Sequence, residues 1–169
     1  MAATQKIVRI TESDSIKCSQ SEDKLDNLIS FKLNAADDSL DLNWAPMGLE
    51  IYCKNSKQNE AVCTALGIVL NGVQLLNKQH KDRANGYIVY SDITYTSPNK
   101  VEQSASAFKQ INWVAMESCM PQNKDEALSL LNTDLDCHPN EYYIPKMREL
   151  INFVQGTANK QMGLAQWWD

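Results

Sequence analysis

Apolar residues recur at alternating steps of four and three through Ala61-Val-Cys-Thr-Ala-Leu-Gly-Ile-Val-Leu-Asn-Gly-Val-Gln-Leu-Leu76, at Val62, Leu66, Val69, Val73 and Leu76. Ala65, Ile68, Gly72 and Leu75 form a second stripe beside the first, and Glu60, Thr64, Gly67, Asn71, Gln74 and Lys78 a third, mostly polar one. So narrow a polar face predicts a helix covered on most of its circumference, the central core helix of the domain. The run is too short to cross a bilayer, and Asn71 and Gln74 interrupt it.

On either side of this helix the pattern changes period. Lys6 to Ile10 reads as a short strand or arm, and Thr11 to Asp26 as a polar, mobile loop. Leu28 to Leu33 and Leu40 to Trp44 alternate, which predicts a hairpin across the turn at Asp37-Asp38, and Leu49 to Lys54 reads as a further strand. Asn55 or Ser56 is placed to cap the central helix, and Asn85-Gly86 to end it. Tyr87 to Thr96 and Phe108 to Glu117 read as long strands, with Val101 to Ser106 as a loop. Helices are predicted over Lys124 to Leu131 and Pro145 to Gln155, the second stopped by Gly156.

Strands that are grouped, rather than alternating with helices, argue for an α+β fold, a mostly antiparallel sheet packed on a long central helix with C-terminal helices. A length of 169 residues fits one such domain, over 28–156. It is preceded by an N-terminal arm and polar loop over 1–27 and followed by a C-terminal tail over 157–169. That tail contains Gly163 and ends in Trp167-Trp168, preceded by Met162 and Leu164. Four large apolar side chains on a segment free to swing are candidate interaction residues; the alternative is that Trp167 or Trp168 folds back onto its own domain.

A formal net charge of -5 argues against a nucleic-acid binder working by bulk charge. No secretory leader or membrane span is read, and the five cysteines, odd in number and without a CxxC pair, suit a reducing cytoplasmic setting. Cys53 and Cys63 sit among apolar residues and read as small core hydrophobes.

The tempting chemistry lies at Asp134-Leu-Asp-Cys-His-Pro139. Adjacent residues rarely orient as a nucleophile and its base, so Cys137-His138 reads as a loop before a helix. A metal held by Asp134, Asp136, Cys137 and His138 with Cys119 lacks the two short ligand pairs of a structural zinc site. His80 lies on a polar helix end. Glycines are dispersed, with no phosphate-binding, GxSxG or HExxH pattern. The aromatic run at Tyr87, Tyr90 and Tyr95 is read as two-sided burial rather than a base-stacking platform. No catalytic residue, metal ligand or cofactor is assigned, which weighs against an enzyme.

In element order the chain resembles the matrix proteins of rhabdoviruses: a strand region, the helix at Ala61 to Leu76, strands at Tyr87 to Thr96 and Phe108 to Glu117, then C-terminal helices. The resemblance implies self-association and contact with a nucleocapsid or, peripherally, a membrane, although the N-terminus lacks a basic arm. The expectation is therefore a non-catalytic protein acting through protein–protein contacts, a self-assembling structural protein. The alternatives are a small acidic inhibitor or immunity-type protein that neutralises a partner, and an enzyme whose site is assembled across the fold. Deleting the tail is expected to leave a folded domain with weaker association.

The buried stripe makes its own test. Val69→Asp places an unpaired charge in the core and is expected to destabilise by about 3 kcal/mol or more in denaturant titration. Asn71→Asp, on the polar stripe, is expected to cost far less, and equal tolerance of the two would mean that the stripe is misassigned.

Overall fold

The six residues Gly163 to Trp168 form the middle strand of the sheet, not a free tail. They do so in a computed structural model that describes residues 4–30, 36–76, 91–121, 123–131 and 137–168. The strand, β5 (Gly163–Trp168), lies between β1 (Gln5–Ile10) and β4 (Thr94–Thr96), antiparallel to both. β2 (Ser39–Asn43) adds to the outer side of β1, and β3 (Gln74–Leu75) to the outer side of β4. The five-stranded order β2-β1-β5-β4-β3 is antiparallel throughout, with a register irregularity between Gln5 and Lys6.

Eight α-helices complete the described residues: α1 (Glu12–Gln20), α2 (Glu22–Ile29), α3 (Ala45–Asn55), α4 (Glu60–Asn71), α5 (Pro98–Phe108), α6 (Trp113–Ser118), α7 (Lys124–Leu131) and α8 (Pro139–Asn159). The α+β class with an antiparallel sheet is as expected from the sequence. Strand alternation sorts the core into two. Ile7, Leu42 and Leu164 face α3, α4, α5 and α8, whereas Val8, Ile10, Ile93, Tyr95, Ala165 and Trp167 face α1 and α2. The sheet is thus covered on both faces.

Several elements differ from expectation for identifiable reasons. The polar stretch after Ile10 is helical: Thr11 Oγ1 caps α1 by accepting from the Asp14 N–H, and Ser21 caps α2. Leu25, Leu28 and Ile29 then bury one helical stripe, so Leu28 and Ile29 close a helix rather than open a strand. Ala45, Leu49, Tyr52 and Cys53 do the same in α3, where Leu49 to Lys54 was expected as a strand. Val101, Ser104, Ala105 and Phe108 form the buried stripe of α5, expected as a loop, and Asn112 caps α6 where a strand was expected. The hairpin partner Leu40 to Trp44 is realised as β2, paired to β1. Of Tyr87 to Thr96, residues 87–90 lie outside the described residues, as do 31–35, His80, Asn85-Gly86, Asp134 and Asp136.

The central helix is shorter than its pattern. Asn59 caps it, its side chain accepting from the Ala61 N–H, and Gly72 stops it. Gly72 has φ +70 and ψ 177, a conformation open essentially to glycine alone, and it turns the chain into β3.

α8 is longer than expected at both ends. His138 caps it, accepting from the Asn140 N–H through Nδ1 at 3.3 Å, while the His138 N–H donates to Glu141 Oε2 at 3.4 Å. Gly156 lies inside the helix, where the Arg9 guanidinium occupies the place of a side chain: a Cβ there would stand 2.9 Å from Nη2. Arg9 is 8% exposed, and its buried charge is fully engaged. Nε donates to Thr157 Oγ1, Nη2 to the Phe153 carbonyl, and Nη1 to the Asp37 carbonyl and Asp38 Oδ1. Lys160 also reaches Asp38, and with Arg9 it holds that carboxyl below the usual range. A buried cation is tolerated only when satisfied in this way, so the network fixes α8 on β1.

Met162 is half-buried, Leu164 is fully buried, Trp167 is 1% exposed and Trp168 is half-buried. The tail read as a docking segment is therefore spent inside the fold. Its removal takes the middle strand and the buried side chains of Leu164 and Trp167, the latter two together accounting for about 3–6 kcal/mol. Deleting residues 163–169 is expected to abolish the cooperative thermal transition followed by near-ultraviolet circular dichroism. A retained sharp transition would mean that the sheet closes without β5.

Candidate functional site

Two buried glutamines on neighbouring strands define the candidate site. Gln5 opens β1 and Gln166 lies within β5; in the register, Gln5 pairs with Trp168 and Ile7 with Gln166. Gln5 and Gln166 are therefore diagonal neighbours on one face of the sheet. Each is 1% exposed. Their amide nitrogens are used at the C-terminal end of α4: Gln5 Nε2 donates to the Leu70 carbonyl, and Gln166 Nε2 donates to the Val69 carbonyl at 3.0 Å and to Thr96 Oγ1 at 2.8 Å. These bonds settle which end of each amide is oxygen.

Both oxygens are left over. Gln5 Oε1 and Gln166 Oε1 are buried with no hydrogen-bond partner among the described residues. Leaving such an acceptor unpaired costs about 1–3 kcal/mol, so buried acceptors of this kind normally receive a donor. The two glutamines line a cavity of about 260 Å³ with Leu70, Asn71, Ser91, Asp92, Thr94, Trp167 and Trp168.

Two hydroxyls of the lining have the same polarity. The Ser91 hydroxyl donates to the Asp92 carbonyl and accepts from the Trp168 N–H, and the Thr94 hydroxyl donates to the Gln166 carbonyl. Both hydroxyls can offer lone pairs to the pocket, while Asn71, Trp167 and Trp168 in the same lining carry N–H groups. The exposed carboxylate of Asp92 stands in the lining, and the C-terminus of α4 adds the negative end of a helix dipole. The arrangement is suited to a ligand that donates hydrogen bonds, best of all a cationic one. Asp92 is the one acidic or basic side chain in the described lining.

The residues singled out in the sequence fare differently. Trp167 and Trp168 are brought to this pocket, Trp168 by its register opposite Gln5, whereas Met162 and Leu164 are not. His138 serves as a helix cap. Cys119 is exposed, with Sγ 3.5 Å from the Asn55 carbonyl oxygen. Asp38 is engaged with Arg9 and Lys160, and Tyr95 is buried. No group of three or more His, Cys, Asp or Glu placed to hold a metal occurs among the described residues. Nor is any described helix long and apolar enough to cross a membrane. Gln5 and Gln166 were not foreseen, because an amide carries no motif and these two meet only through strand register.

No family model matches the chain, and a comparison with curated proteins finds no match. Among solved structures, the chain is similar to the crystal structure of YfbM from Escherichia coli, a protein of unknown function. The TM-score is 0.63 at 9% identity, covering 98% of this chain and 99% of the other. At that identity the likeness is one of fold alone.

Gly72 is part of the pocket's construction. A Cβ on it would stand 2.4 Å from Thr94 Oγ1 and 3.2 Å from Gln166 Oε1. Gly72→Ala is expected to destabilise by about 1–3 kcal/mol from backbone strain, with a further cost from displacing Thr94. Chemical denaturation measures the total, and a neutral substitution would contradict the backbone conformation assigned here.

Proposed function

We propose that this is a non-catalytic protein acting through protein–protein contacts, and that the pocket beneath the C-terminus of α4 receives a lysine or arginine side chain of its partner. The observation that carries the reading is the pair of buried amide oxygens, Gln5 Oε1 and Gln166 Oε1, without donors among the described residues. Asp92 supplies charge to a cation entering there, and the formal net charge of -5 favours encounter with a basic protein. This is the chemistry of a small acidic inhibitor that neutralises a basic partner. The setting proposed is a reducing cytoplasm, which the free cysteines support.

Self-assembly remains the other form such contacts take. It loses the support of a free tryptophan tail, because β5 holds those residues in the sheet.

The test uses full-length protein and a short peptide carrying one arginine, compared with the same peptide carrying neutral, isosteric citrulline. Saturable binding of the arginine peptide is expected, weaker for citrulline by about tenfold, the weight of one charge-assisted contact. Asp92→Asn is expected to weaken the arginine peptide severalfold without changing the melt. Equal binding of the two peptides, or binding of neither, overturns the reading. Sedimentation at low and high protein concentration checks for assembly: a rising mass that Asp92→Asn suppresses would assign the pocket to a second copy.

A further inference from the structure

The thiols of Cys53 and Cys63 lie close together on two consecutive helices. Cys53 is on α3 and Cys63 on α4, and their Sγ atoms are 3.2 Å apart. Both are free. The segment joining the helices is short and firmly held, which keeps the thiols in place. The Ser56 N–H donates to the Tyr52 carbonyl and the Ser56 hydroxyl to the Cys53 carbonyl, and Lys57 takes a left-handed φ of 50. Gln58 both accepts from the Asn112 N–H and donates to the Asn112 carbonyl, at 2.9 and 3.0 Å. Asn59 then caps α4 and donates to Gln110 Oε1. The turn between the helices is thus pinned to the loop before α6.

We propose that Cys53 and Cys63 are a redox pair that closes reversibly into an intramolecular disulfide, fastening α3 to α4. A disulfide needs its sulfurs at about 2.05 Å, so closure asks the two Sγ atoms to approach by roughly 1.2 Å. Cys63 is the more accessible of the two and meets the oxidant first, whereas Cys53 is 1% exposed. Burial, and then the neighbouring thiol, keep Cys53 protonated.

With a peroxide as oxidant, the Cys63 thiolate attacks one peroxide oxygen. An S–O bond forms, the O–O bond breaks, and the leaving hydroxide takes a proton to become water. Cys53 sulfur then attacks the sulfenic sulfur. The S–S bond forms, the S–O bond breaks, and the Cys53 proton leaves with the hydroxide as a second water. Each sulfur gives up one electron and the peroxide takes two. A dithiol reductant reverses the step by exchange.

The experiment treats full-length protein with hydrogen peroxide, blocks the remaining thiols with an alkylating agent, and maps the digest by mass spectrometry. The expected product joins the Cys53 and Cys63 peptides, lighter by two hydrogens than the two reduced peptides together, and it disappears on treatment with dithiothreitol. Oxidation is expected to raise the thermal midpoint by roughly 5–10 °C, as a short cross-linked loop implies. Cys119→Ser, at an exposed site, is expected to leave the cross-link intact, and Cys63→Ser to abolish both the cross-link and the shift. Should Cys63→Ser fail to fold, the map of the unmodified chain decides alone. Cys53 and Cys63 both recovered alkylated under oxidation that consumes Cys119 would overturn the proposal. So would a disulfide joining either of them to Cys119.

Discussion

The pairing of the first described strand with the last is the constraint on which this fold depends. β5 gives one edge to β1 and the other to β4, so the sheet is continuous only once the C-terminal segment has been inserted. Loop closure over so long a separation is costly in entropy, and the return comes from two cores at once. Leu164 goes to the helical layer of α3, α4, α5 and α8, and Trp167 to the layer of α1 and α2. Arg9 then ties β1 to α8 from within, and the space it needs explains why a glycine stands at 156.

The same pairing builds the candidate site. Register places Gln5 and Gln166 diagonally on one face, and both amides turn their donors toward the last turn of α4. A helix end normally leaves its final carbonyls open, and here two of the glutamine donors satisfy carbonyls of that end. The consequence is a pair of oxygens facing a pocket to which the Ser91 and Thr94 hydroxyls can also offer lone pairs. The amide oxygens, the Asp92 carboxylate and the C-terminus of α4 are what support the proposal of a cationic donor there.

How much of this was legible depended on whether a residue's environment followed from local spacing. The helix at Glu60 to Asn71 was legible because its stripes are clean, although its end was not: Asn71-Gly72 is a stop signal that the continuing apolar stripe concealed. α3 alternates by accident at Leu49, Ile51 and Cys53, and α5 buries serine and alanine, which carry little hydropathy signal. β5 is covered on both faces and carries Gln166 mid-strand, so it shows no alternation, and at a chain end it reads as a tail. Of the site, Trp167 and Trp168 drew attention by their size. The glutamines did not, since their role follows from burial and from bonds to α4, which no sequence spacing encodes.

Gln5 Oε1 and Gln166 Oε1, without donors among the described residues, are proposed to receive a donor cation. The most direct measurement is a titration of isotope-labelled protein with methylguanidinium, following the side-chain amide resonances of Gln5 and Gln166. Saturable shifts of both are expected, weakened in Asp92→Asn, with the amides of α1 and α2 on the opposite face of the sheet unmoved. Shifts that grow linearly without saturation and spread evenly over the surface would contradict the proposal.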